Sequence, residues 1–223
     1  MRVLAACEMS GEVRRAFRAL GHDAWSNDLV PALDGDEHHL QCDVLEAIRG
    51  QHWDLVVAFP PCTYLCVSGL HWNGKRPGRS EQTEEALNLV KAILESDVDK
   101  IALENPVGCI STRLRQPDQI IQPYQFGHDA SKKTCLWLKN LSPLVPTKSV
   151  EPSWFCCGVR LRSHPSIECC SVCGRASKAL PRWGNQTPSG QNKLGPSADR
   201  GALRGITYRG IAEAMAAQWG GQA

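Results

Sequence analysis

Residues Arg2–Asp28 read RVLAACEMSGEVRRAFRALGHDAWSND, and the succession of patterns within them decides the fold. Arg2–Cys7 is a short apolar run with the length of a buried strand, and Ser10-Gly11 supplies a turn. A helix is predicted from about Glu12 to Leu20, closed by Gly21, and a second strand over His22–Ser26. The same alternation continues downstream. Leu40–Val44 reads as a third strand, and Trp53–Phe59 (WDLVVAF) as a fourth that stops at Pro60-Pro61. Helical spacing runs over residues 81–96 through Ala86, Leu89, Val90, Ile93 and Leu94, Lys100–Leu103 begins a fifth strand, and Thr134–Leu138 is another. Strands separated by helices imply an α/β protein with a doubly wound, mostly parallel sheet. In such sheets ligands bind beyond the carboxyl ends of the strands, where Glu8, Asp28, Asp43, Cys62 and Glu104 gather here.

The pattern changes near residue 140. Pro, Gly, Ser, Cys and basic residues take over and hydrophobic periodicity is lost until Tyr208–Trp219, which restores a helix. The expected organisation is therefore a core over 1–146, a small Cys-rich basic insertion over 147–200, and a terminal segment over 201–223 returning to the core. Five of the 11 cysteines (Cys156, Cys157, Cys169, Cys170, Cys173) fall within 18 residues. In a cytosolic chain such crowding indicates a metal site rather than disulfides. Cys170 and Cys173, two residues apart and followed by Gly174, have the spacing of a zinc knuckle. Cys157 with Cys156 or Cys169 would complete the four ligands, His164 being a substitute. A metal would hold a polar segment together without a core.

A chain of 223 residues with 42% hydrophobic and 22% charged residues is globular, neither disordered nor a coiled coil. No apolar stretch approaches the roughly 18 residues of a membrane span, and no signal-like run opens the chain, so a soluble cytoplasmic protein is expected. The net charge of +2 conceals a division: residues 1–131 carry 12 basic and 19 acidic side chains, residues 132–223 carry 13 and 4. A basic C-terminal portion points to a polyanionic partner. Arg160, Arg162, Arg175, Lys178 and Arg182 would meet phosphates, and Trp183 would stack on a base.

Two short motifs carry chemistry. In Phe59-Pro60-Pro61-Cys62, paired prolines stiffen a strand end and present a thiol, whose thiolate is the strongest nucleophile among ordinary side chains. In Leu103-Glu104-Asn105-Pro106, a carboxyl group stands at the end of the following strand. A nucleophile and a carboxyl group facing one pocket suit attack on an electron-poor ring with protonation of its nitrogen. Trp25, Trp53, Trp137 and Trp219 sit at core spacing, and His38-His39 reads as a loop pair.

FPPC with Ser68 after it, ENP after the next strand, and Glu8–Gly11 after the first resemble the DNA cytosine C5-methyltransferases, most closely their short bacteriophage and prophage forms. CDV (42–44), FGHDASKKTCLWL (126–138) and TYRGIAEAMAAQW (207–219) support the likeness, which covers the chain except parts of 147–190. The resemblance implies a Rossmann-like, class I fold using S-adenosylmethionine, with DNA as partner in a bacterial cytoplasm. Cys62 would attack C6 of cytosine and Glu104 would contact N3 and the amino group. Glu8, Ser10 and Gly11 would cradle the methionine part of the cofactor, Asp28 its ribose and Asp43 its adenine, with Pro60 and Tyr208 beside it. Ser68 and Trp72, on a loop closing over the substrate, with Asn105, Lys132 and Lys133, would meet the target nucleotide. The chain departs from the family in its reduced glycine turn, its lack of paired arginines, and the roughly 60 residues that stand in place of a large target-recognition domain. Methylation of a free cytosine nucleotide such as dCMP, and a silent DNA- or cofactor-binding protein of the same fold, are the alternative readings. A monomer is expected.

Overall fold

The computed structural model describes residues 1–161, 164, 170–174, 180–197 and 200–221. The chain is α/β. Its strands are β1 (Arg2–Ala6), β2 (Asp23–Asp28), β3 (His39–Gln41), β4 (Leu55–Ala58), β5 (Lys100–Pro106), β6 (Gln119–Ile121), β7 (Thr134–Lys139), β8 (Ser153–Cys156), β9 (Val159–Arg160) and β10 (Leu180–Arg182). Its helices are α1 (Glu12–Ala19), α2 (Val44–Arg49), α3 (Val67–Leu70), α4 (Arg79–Leu94), α5 (Ile110–Arg113), α6 (Arg200–Gly205) and α7 (Arg209–Trp219). β1 to β7 form one sheet in the order β3-β2-β1-β4-β5-β7-β6, parallel throughout except for β7, which runs antiparallel to both its neighbours. This is the doubly wound, Rossmann-like arrangement expected, with its topological switch between β1 and β4.

The centre of the sheet is apolar because both faces are covered. All four residues of β4 (LVVA) are fully buried, as are Val3, Leu4 and Ala6 of β1 and Ile101, Ala102 and Leu103 of β5. Leu4, Ala6, Val56, Ala58, Ile101 and Leu103 alternate onto one face and pack with Val44, Ala47 and Ile48 of α2 and Leu87, Val90 and Ile93 of α4. On the opposite side α1 packs against β1, β2 and the returning helix α7. Trp53 and Trp137 lie in the α2/α4 core, Trp219 is buried in α7, and Trp25 is half-buried at the core's edge. The indole N–H groups of Trp53, Trp137 and Trp219 donate to the carbonyls of Ala47, Arg115 and Ser142. No described helix is long and apolar enough to cross a membrane.

Two compact units emerge. The first holds Met1–Ile121, Lys133–Val145 and Gly205–Ala223, the second Gln122–Lys132 and Pro146–Arg204. The second unit has a sheet of its own, in the order β10-β8-β9, all antiparallel. Sequence periodicity gave no sign of it, because its ladders are only two or three residues long. Helix α2 was equally hidden. Leu40–Val44 reads as a strand, but the strand closes at Gln41 and Asp43 caps a helix, accepting from the N–H groups of Leu45 (2.8 Å) and Glu46 (3.4 Å).

Candidate active site at the carboxyl edge of the sheet

The strand register brings the sequence-predicted residues of the first unit to one edge. Ala6 of β1 pairs with Asn27 of β2 and Ala58 of β4, and Ala58 pairs with Leu103 of β5. One step further the row across the sheet is Asp28, Cys7, Phe59 and Glu104. Pro60, Pro61 and Cys62 follow at the end of β4.

The turn after β1 is closed by its own side chains. Glu8 is buried, and its carboxylate accepts from the Ser10 hydroxyl and from the Gly11 N–H (3.1 Å). Gly11 has φ 73°, a left-handed conformation that glycine adopts at no steric cost. Burial pushes the Glu8 carboxyl above its ordinary value, against the opposing effects of Ser10 and the Arg14 guanidinium. Arg14 is itself fully buried; it donates to the Ser26 hydroxyl (2.6 Å) and Asp34 (2.5 Å). Ser26 in turn meets His39 Nδ1 (2.8 Å), and His39 Nε2 lies 2.9 Å from the Val30 carbonyl, which can only accept; Nε2 therefore carries the proton. This buried network ties the loop following β2 to α1.

Asp28 is half-exposed, and its carboxylate also accepts from the Val30 N–H (3.2 Å). Cys7, at φ 55°, was not singled out by its sequence, yet its thiol is pushed up to about 12, first by burial and then by the carboxylates of Asp28 and Asp43. Both acids thus act on the same spot, at the switch point of the sheet. Carboxylates at that place suit a cationic ligand and hydroxyl or amino donors.

Cys62 is half-buried and opens a single 3-10 turn over Cys62–Tyr64, with Pro61 before it. The segment after it is tied to the end of β5. Buried Asn105 donates to the Pro60 carbonyl (2.8 Å), the Cys109 N–H to the Leu65 carbonyl (2.8 Å), and the Val67 N–H to the Val107 carbonyl (3.3 Å). A Cβ at Gly108 would lie 1.9 Å from the Leu65 carbonyl oxygen, and one at Gly69 would lie 2.0 Å from that of Thr63. From the first turns of α4, Arg79 donates to the Thr63 (2.7 Å) and Gly69 (3.2 Å) carbonyls and covers the Tyr64 ring at 4.2 Å. Thr83 adds a bond to the Tyr64 carbonyl (3.1 Å). Arg79, Thr83, Gly69 and Gly108 were invisible as site residues in the sequence, because each acts through backbone groups brought near only by folding.

Ser68 and Trp72 are exposed beyond this turn. Ser68 approaches the Cys66 thiol (3.3 Å), and Arg76 lies 4.0 Å over the Trp72 ring. Tyr208 is half-buried at the start of α7. Lys133 is exposed in the first unit, whereas Lys132 belongs to the second, where its ammonium group meets the Arg204 carbonyl (3.3 Å).

In the second unit Cys156, Cys157, Cys170 and Cys173 converge, their sulfurs within 4.8 Å of one another. The Cys156 sulfur stands 3.9 Å from that of Cys157 and 3.6 Å from that of Cys173. A tetrahedron of Zn–S bonds of about 2.3 Å has edges of about 3.8 Å. Two turns make the convergence possible: Cys157 and Gly158 adopt φ 51° and 79°, and Gly174, at φ 65°, donates to the Cys170 carbonyl (2.8 Å). His164 lies edge-on to Trp154 at 4.8 Å. Cys169, Arg162, Arg175 and Lys178 lie outside the described residues. One face of the Trp183 ring is stacked on Tyr124 (4.4 Å, 9°), which removes that face from the base stacking expected of it.

No protein-family model and no curated protein matches the chain. Among solved structures it is similar to a protein described as a DNA modification methyltransferase encoded within an E. coli prophage (13% identity, TM-score 0.42, 67% of this chain and 52% of that one). It is also similar to an rRNA methylase from Escherichia coli (17%, 0.38, 62% and 56%) and to the 16S rRNA methylase RmtB (17%, 0.37, 62% and 55%). The chain spans about half the length of each.

The close approach at Gly108 gives a direct test. Gly108→Ala should push the segment after Cys62 away from β5, lowering ligand-dependent activity at least tenfold while the far-ultraviolet circular dichroism of the sheet and helices persists. Activity equal to wild type would show that the contact does not position Cys62.

Proposed function

We propose that the chain methylates C5 of cytosine in DNA, using Cys62 as nucleophile and S-adenosylmethionine as methyl donor. The observation that carries this reading is the tie between the β4 and β5 ends, which joins the segment of Cys62 to the strand of Glu104 on the sheet edge that also carries Asp28. S-adenosylmethionine supplies an electrophilic methyl group when bound. Glu8, Ser10 and Gly11 shape the turn that receives its methionine part, Asp28 accepts from its ribose hydroxyls, Asp43 faces its adenine, and Pro60 and Tyr208 line the pocket.

The Cys62 thiolate adds to C6 of the ring, and the C5–C6 π electrons move to C5. Glu104, as the carboxylic acid, gives its proton to N3 and accepts from the amino N–H, neutralising the negative charge that this addition pushes onto the ring; the proton returns to Glu104 when the adduct breaks down. C5 then takes the methyl group, leaving the donor as S-adenosylhomocysteine; the C5 proton passes to water, the electrons of its bond re-form the C5–C6 double bond, and the C6–S bond breaks to release the thiolate and 5-methylcytosine. Asn105 keeps β4 and β5 in step through Pro60. Ser68, Trp72 and Lys133 are assigned to the target nucleotide and its phosphate. A base inside a duplex must be flipped out to reach Cys62. The Cys156/Cys157/Cys170/Cys173 cluster holds a structural Zn²⁺, which substitutes for an apolar core in the second unit.

Incubating the protein with labelled S-adenosylmethionine and unmethylated DNA, with dCMP in parallel, should place label in 5-methyldeoxycytidine from DNA. Cys62→Ser should abolish transfer, and Glu104→Gln should lower it by about 10²- to 10⁴-fold. Label in dCMP alone would replace DNA by the free nucleotide, and full activity of Cys62→Ser would remove the nucleophile assignment.

Elemental analysis should find one zinc per chain, and Cys173→Ser should lose the zinc and lower the thermal transition. A metal-free protein with an unchanged transition would refute the metal centre.

A further inference from the structure

The three-stranded sheet of the second unit has two unlike faces, and the register assigns residues to each. Across antiparallel strands, directly opposed residues share a face, and along each strand the faces alternate. Phe155 of β8 opposes Arg160 of β9 and Leu180 of β10, and Ser153 opposes Arg182. Those five residues therefore lie on one face. Trp154 and Cys156 lie on the other, where they pack with Leu161, Cys170 and Cys173 around the cysteine cluster.

The face turned away from the cysteines has the chemistry of a polyanion site. Arg160 is exposed, Leu180 is 71% exposed, and the Arg182 guanidinium lies 4.1 Å over the Phe155 ring. An arginine held flat on an aromatic ring keeps its planar fork of donors oriented, at a smaller entropic cost when it binds. β9 and β10 flank β8, and their arginines oppose Phe155 and Ser153, so the two arginine backbones stand two strand spacings and two residues apart, about 12 Å. They can thus engage separate phosphates. The second unit as a whole carries 10 basic and 4 acidic residues, a balance of +6 that leaves −4 for the first.

We propose that this face, built on Arg160, Phe155 and Arg182, grips the sugar–phosphate backbone of a polynucleotide. The proposal rests on the DNA reading for the identity of its ligand, and it assigns to the cysteine-rich unit the task of holding the strand. Phe155 acts as the support that orients Arg182, and the face reads backbone rather than base sequence.

The test is fluorescence anisotropy of a labelled mixed-sequence DNA duplex with the full-length protein between 50 and 200 mM salt. The slope of log K against log[salt] counts neutralised phosphates at about 0.9 per contact, and a fraction of unfolded protein does not move it. Arg160→Gln and Arg182→Gln should each flatten the slope by about 0.9 and weaken binding several-fold at 0.15 M salt. Arg182→Lys should keep the slope while weakening binding, because it keeps the charge and loses the fork. Arg49→Gln, an exposed residue at the end of α2 in the first unit, should leave the slope unchanged. Wild-type slopes for both glutamine variants would overturn the proposal even if DNA is methylated. An equal flattening by Arg49→Gln would overturn it too, showing only a non-specific charge effect. Flattened slopes in a protein that methylates no DNA would uphold the proposal and count against the proposed activity alone.

Discussion

The site depends on two chain segments approaching until only glycine fits between them. The carbonyl of Leu65, three residues after Cys62, accepts from the Cys109 N–H, and a Cβ at Gly108 would stand 1.9 Å from that same oxygen. Asn105 adds the bond to Pro60 from inside the core. Backbone bonds of this kind do not compete with water once buried, so the geometry at the ends of β4 and β5 is fixed before any ligand arrives. The segment that carries Cys62 is thereby tied to the end of β5, the strand that carries Glu104.

Electrostatics divides the molecule in the same functional sense. At the sheet edge burial, and then the carboxylates of Asp28 and Asp43, push the Cys7 thiol up, and two such carboxylates suit a cationic ligand. The second unit is basic and builds its small sheet on four converging cysteines rather than on apolar bulk. The zinc proposed for these cysteines would offset the entropy of ordering a segment with so few large hydrophobic residues.

Much of the first unit was legible in the sequence, since strands buried on both faces read as continuous apolar runs and helices as 3.6-residue repeats. The order of β1, α1 and β2, the stop at Pro60-Pro61, and the position of Glu104 all follow from those signals. What the sequence hid was short or long-range. Asp43 and Glu46 carry a helix-start signature for α2, but a six-residue helix has too little periodicity to outweigh the apolar run before it. Gly69, Gly108 and Arg79 owe their roles to carbonyls brought near by folding, and nothing local marks them. The knuckle spacing at Cys170 and Cys173 was readable, and so was Cys157 as a partner; the left-handed turn at Cys157-Gly158 that accompanies the convergence of Cys156 and Cys157 on them was not. The faces of the β8–β10 sheet became assignable only with its register.

The account stands or falls on one cytosine being engaged by the thiol of Cys62. DNA containing 5-fluorocytosine tests this directly, because fluorine replaces the C5 proton whose loss must precede release of the thiol. With S-adenosylmethionine present, the protein should form a covalent complex with such DNA that survives denaturation. Mass spectrometry should map the attachment to Cys62, and Cys62→Ser should form none. Attachment at another cysteine, or no covalent complex from a protein that binds the DNA, would contradict the account.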